Sequence, residues 1–90
     1  MTFIFDTAHM TSEQAERQWF ADLLWQAFPM CQSEAELCER AAAVLSRKGR
    51  SVTPRAVRNW CRRENTPHFR YVLTVYALAQ TEKIARAVSP

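Results

Sequence analysis

The 90-residue sequence predicts an all-α fold, a compact bundle of about five short helices, on three observations. Gly49 is the single glycine, whereas turn-rich all-β architectures draw heavily on that residue. Apolar residues recur at three- and four-residue steps, the helical period. Pro29, Gly49 and the pairs Thr53–Pro54 and Thr66–Pro67 punctuate that period at intervals suited to short helices.

Apolar residues make up 48% of the chain and charged ones 23%, a balance that builds one small core rather than a disordered segment. A chain of this length buries roughly 60–65% of its unfolded surface, so one domain fills it. Residues 1–10, "MTFIFDTAHM", read as an N-terminal arm able to lay Phe3 and Phe5 on the body, and residues 11–90 as the domain. "MTFIF" has no basic start and is too short to span a bilayer, so neither a signal peptide nor a membrane segment is expected. Cys31, Cys38 and Cys61 are odd in number and lack C-x-x-C spacing. They predict reduced thiols in a cytoplasmic protein, with no disulfide frame and no metal site.

Each helix carries its own start and stop. Thr11 or Ser12 caps the first, whose apolar stripe is Ala15, Trp19, Phe20, Leu23, Leu24, Ala27 and Phe28, and Pro29 ends it. Trp25 falls off that stripe. "SEAE", Ser33 to Glu36, is a capping box opening a second helix over about residues 34–47. Its inner side holds Leu37, Cys38, Ala41, Val44 and Leu45; Ala41 and Ala42 admit a close neighbour, and Gly49 supplies a left-handed stop. Thr53 caps a third helix with Pro54 in its first turn, over about residues 53–64, and Asn65 takes the left-handed exit. Thr66 caps a fourth, carrying Phe69, Val72, Leu73, Tyr76 and Ala79 inward. A short fifth helix around Glu82 to Val88 packs back through Ile84 and Val88.

Charge separates along the chain. In residues 47–70, Arg47, Lys48, Arg50, Arg55, Arg58, Arg62, Arg63 and Arg70 stand against one acid, Glu64, although the whole chain carries only +3. Such a block predicts a surface facing a polyanion. On a helical wheel with Val57 at zero, Trp60 and Cys61 join it as a buried stripe. Arg58 then falls at about 100°, Arg62 at about 140°, Arg55 at about 160° and Asn59 at about 200°, with Arg63 at the edge. Arginine and asparagine pair both hydrogen bonds with guanine and adenine edges, and a helix fits the major groove of duplex DNA. The helix start at Thr53, Pro54 and Arg55 adds free N–H groups suited to phosphate.

The stretch "VTPRAVRNWCRRENTPHFRYVLTVYALA", Val52 to Ala79, resembles the second half of a Cro/phage-repressor-type (XRE-type) helix-turn-helix domain. The matching features are Val57, Trp60 three residues on, a polar link to Pro67, and a helix ending in Ala77–Leu78–Ala79. With the preceding helix, the resemblance covers about Ser33 to Ala79. It implies a five-helix bundle of a phage-like transcription regulator, with residues 34–47 as supporting helix and 53–64 as recognition helix. It further implies that Thr53, Pro54, Arg55, Arg58 and Asn59 meet bases or phosphates, and that Arg62 and Arg63 meet the backbone. The link "SRKGRSVT" is longer than the family's turn and adds Arg47, Lys48 and Arg50 as phosphate contacts beside the groove.

The expected function is therefore sequence-specific binding of double-stranded DNA, without catalysis or cofactor. The alternative is an interaction module of the same shape, pairing with itself or another transcription protein. Tyr71, Val75 and Leu78, off the fourth helix's stripe, make that helix apolar nearly all round. A Gly-rich phosphate loop, a metal-ligand cluster and a Ser/His/Asp pattern around His9 or His68 are all missing, which argues against an enzyme. RNA is disfavoured because Trp60 points inward and leaves no aromatic for base stacking.

Overall fold

The computed structural model describes residues 12–46 and 51–88. The expected arm at residues 1–10, Thr11, Arg47, Lys48, Gly49 and Arg50 lie outside the described residues. Among the described residues all regular structure is helical, in four helices: α1 (Ser12–Ala27), α2 (Glu34–Leu45), α3 (Pro54–Cys61) and α4 (Phe69–Val88). Among the described residues the fold is all-α, as predicted, with one helix fewer.

Helix α1 is the centre, packing on α2, α3 and most extensively α4, while α2 and α3 pack on one another. The deepest side chains come from every helix: Phe20 and Leu24 of α1, Leu37 of α2, Val57 of α3 and Val75 of α4. Each contributes about 1.5–3 kcal/mol by leaving water. Two aromatic contacts extend this core toward α4. Phe20 and Trp60 meet edge to face at 5.7 Å between ring centroids, and Trp60 meets Tyr71 at 5.5 Å.

The stripe expected of α1 is buried except at Trp19, which is 40% exposed at the rim beside Tyr76; Trp25 is exposed, as its place off the stripe predicts. The Phe28 N–H still donates to the Leu24 carbonyl at 3.2 Å before Pro29 ends the helix. At the start of α2 the Ser33 hydroxyl accepts from Glu36 N–H at 3.1 Å, while the Glu36 carboxylate accepts from Gln32 N–H rather than from Ser33. Val44, expected inside, is 42% exposed. Helix α2 stops two residues short of the expected Arg47 because Ser46 turns extended (ψ 129°). Its hydroxyl donates to the Ala42 carbonyl at 2.7 Å and accepts from Val52 N–H at 3.0 Å. One side chain thus caps α2 and pins the far end of the link to α3.

Thr53 caps α3 as expected, its hydroxyl accepting from Ala56 N–H at 3.1 Å. The far end differs: α3 ends at Cys61, and Arg63, not Asn65, is left-handed (φ 62°). The Glu64 N–H reaches the Asn59 carbonyl at 2.9 Å and the Arg63 N–H reaches Trp60 at 3.1 Å. That bond pair is the usual left-handed C-terminal cap.

Helix α4 differs most. His68, not Thr66, caps it: His68 Nδ1 accepts from Arg70 N–H at 3.1 Å. The expected fifth helix is its continuation, since "AQTEK" contains no glycine or proline to stop a helix. The helix is also rotated from the expected stripe. Val75 and Ala79 are buried, with Tyr71, Val72 and Leu78 packed beside them, whereas Phe69, Leu73 and Tyr76 face out. The Trp60–Tyr71 contact turns that side inward. Ile84 and Val88, expected to pack back, are 63% and 76% exposed.

Candidate nucleic-acid interface

The outward face of α3 rests on a floor whose sequence signal was clear. Val57 has no exposure, Trp60 and Cys61 are buried, and Val52 enters the core immediately before the helix. With the floor held by Thr53, Ser46 and the Arg63 cap, rotation of α3 is restricted and its opposite side must face solvent.

Thr53, Pro54, Arg55, Arg58, Arg62 and Arg63 are all exposed, and Asn59 is half-buried at the margin. Among the described residues, the side chains of Arg55, Arg58 and Arg63 have no hydrogen-bonding or ion-pairing partner. Arg55 and Arg58 lie one turn apart and line a shallow cleft with Pro54 and, across it on α2, Glu34, Ala35, Cys38 and Glu39. The Thr53 hydroxyl is committed as acceptor to the helix start. Arg47, Lys48 and Arg50, expected beside the groove, lie outside the described residues.

Arg62 is the exception among the α3 arginines. Its Nη2 sits 3.0 Å from Glu34 Oε1 and its Nε 3.4 Å from Oε2, a forked ion pair between the end of α3 and the start of α2. The hydrogen bond and the charge of Glu34 raise the guanidinium's pKa further. The partner is 28 residues away in sequence, so no local spacing signals it. A second cross-link is Arg17, whose Nε donates to Thr66 Oγ1 at 2.9 Å while its Nη2 pairs with Glu13 at 3.0 Å. It fixes the α3–α4 link to α1. Arg70 is held over the Tyr71 ring at 5.5 Å.

Beneath this face, the Cys38 thiol of α2 and the Cys61 thiol of α3 lie close enough to influence one another's ionisation. Burial pushes the Cys61 thiol up to about 12 and raises Cys38 as well, so both are neutral packing groups between the two helices. All three cysteines are free and buried. Among the described residues no three His, Cys, Asp or Glu side chains cluster as a metal site would need, and no helix is long and apolar enough to cross a membrane.

Comparison of the chain with protein-family models, with curated proteins and with solved structures finds no match. The functional reading therefore stands on the residues and their geometry.

Proposed function

We propose that this chain is a DNA-binding module of a transcription regulator, reading double-stranded DNA with the outward face of α3 in the major groove. The observation that carries the reading is the pairing of Arg55 and Arg58, exposed and unpartnered one turn apart on a helix whose other side is locked into the core. Held this way, two guanidinium forks reach base edges without first breaking protein contacts, which lowers the ordering cost of binding. Asn59 at the margin suits an adenine edge, and Arg63 a phosphate. Glu34 and Glu39 across the cleft disfavour phosphate inside it, so the DNA backbone would run past Arg63 and the neighbouring Arg62 at the end of α3. The same reading gives α2 and α3 the supporting and recognition roles of the Cro/repressor-type helix-turn-helix, in a cytoplasmic protein without catalysis or cofactor.

The test is selection from a random duplex library at two salt concentrations. The proposal expects a defined motif at both, with a log–log salt slope of about −4 to −6 from roughly four to seven basic side chains on phosphate. Enrichment without any motif would leave only a non-specific polyanion surface, and no enrichment would end the DNA reading.

The exposed apolar side of α4 favours a second reading, a protein-interaction module.

A further inference from the structure

We propose that α4 pairs with α4 of a second copy of this chain, antiparallel, about a two-fold axis passing between Ala77 and Gln80. The outward side of α4 is an apolar stripe of Phe69, Leu73, Tyr76, Ile84 and Val88, interrupted by Gln80. On a wheel these apolar positions lie opposite Val75 and Leu78, which face the core. From Lys83 to Val88 every residue is exposed, so the last turns lie clear of their own domain.

The stripe is self-complementary. Reversing α4 about its midpoint puts Phe69 against Val88 of the second copy and Leu73 against Ile84 of the second copy, while Ala77 meets Gln80. A two-fold interface requires that property, because whatever residue i meets must in turn meet residue i. Large side chains meet branched ones in both outer layers, and the small Ala77 leaves room for the glutamine at the centre. Electrostatics agree. In this register the cationic C-terminal halves, which carry Lys83 and Arg86, lie at opposite ends of the seam and the helix dipoles run opposed.

The area suits a weak pair. At exposures of 66, 53, 46, 63 and 76%, Phe69, Leu73, Tyr76, Ile84 and Val88 leave open roughly 550 Å² per copy, or roughly 1,100 Å² over a pair before flanking side chains are added. Specific interfaces begin at about 1,200 Å², so complete coverage of these side chains gives an interface at the small end of that range. The pair should be weak, with dissociation in the micromolar range. Its seam uses no residue of the α3 face, so it stands independently of the DNA reading.

The experiment is sedimentation velocity of the full chain over a wide concentration range, without DNA, with circular dichroism to confirm folding. The wild-type protein should pass from monomer to dimer. Leu73→Lys and Ile84→Glu should each weaken the dimer at least tenfold, because each buries a charge against an apolar side chain. Combined in one chain, the introduced lysine faces the introduced glutamate twice across the axis, and the double variant should regain most of the lost affinity. A wild-type monomer at every concentration would overturn the proposal and leave the face to a different protein. A double variant as monomeric as its parents would overturn the antiparallel register.

Discussion

Replacing Glu34 by glutamine tests the electrostatics of the α3 face without touching α3. Its carboxylate holds both Nη2 and Nε of Arg62, at 3.0 and 3.4 Å, and lines the cleft that contains Arg55 and Arg58. The side chains are 53% and 37% exposed, so water already screens the pair and the fold does not depend on it. Glutamine keeps the shape and removes the charge. Arg62 is then free for a phosphate, and one added phosphate contact steepens the log–log salt slope by about 0.9. By the same relation, binding at about 0.1 M salt tightens by about five- to tenfold. Arg62→Ala should cost little in the parent, where the guanidinium is already occupied, and should cancel the gain when combined with Glu34→Gln. The coupling between the two positions is thus positive and measurable as a double-mutant cycle. Fluorescence anisotropy with a selected duplex, from about 50 to about 300 mM salt, supplies both slope and affinity. An unchanged slope, or weaker binding by Glu34→Gln, would refute the placement of Arg62 beside the DNA backbone.

Three further outcomes follow from the fold. Arg63→Gly relieves a left-handed residue that carries a side chain, a cost of about 1–2 kcal/mol, partly offset by glycine's greater unfolded freedom. The melting temperature should rise by roughly 2–6 °C, whereas Arg63→Ala, which keeps a Cβ, should give no rise. Ser46→Ala strands the Val52 N–H and one bond of the Ala42 carbonyl at the mouth of the link; chemical denaturation should show a loss of about 1–3 kcal/mol. Cys61 keeps its proton in the folded state up to about pH 12, against an ordinary 9.0. The stability it lends is complete below pH 9 and is lost as pH rises toward 12, because the unfolded chain then releases the proton first. Melting curves across that range should fall more steeply for the wild type than for Cys61→Ala, and equal slopes would contradict the buried, neutral thiol.

Much of the frame was legible from local chemistry. Ser33 and Thr53 cap their helices because a hydroxyl at that offset meets an otherwise unbonded N–H, and Val57, Trp60 and Cys61 are buried because their spacing puts them on one side. The rotation of α4 was not legible. With Phe69, Tyr71, Val72, Leu73, Val75, Tyr76 and Leu78 around its first turns, periodicity points in no single direction, and the contact between Trp60 and Tyr71 chooses. Asn65 is the better left-handed residue by intrinsic preference, yet the exit falls on Arg63 because Trp60 and Cys61 are the last side chains of α3 with a core to enter. Arg62 read as one more free cation, since its partner Glu34 arrives only through the packing of α2 on α3.

The central claim is that α3 presents Arg55 and Arg58 to base edges. Its most direct test is the footprint and base preference of the Arg55→Ala and Arg58→Ala proteins on the selected duplex, beside the wild type. Each substitution should cost about 1–3 kcal/mol of discrimination, confined to one or two neighbouring base pairs, with binding to scrambled DNA changed far less. A footprint and preference identical to the wild type in both variants would contradict the account.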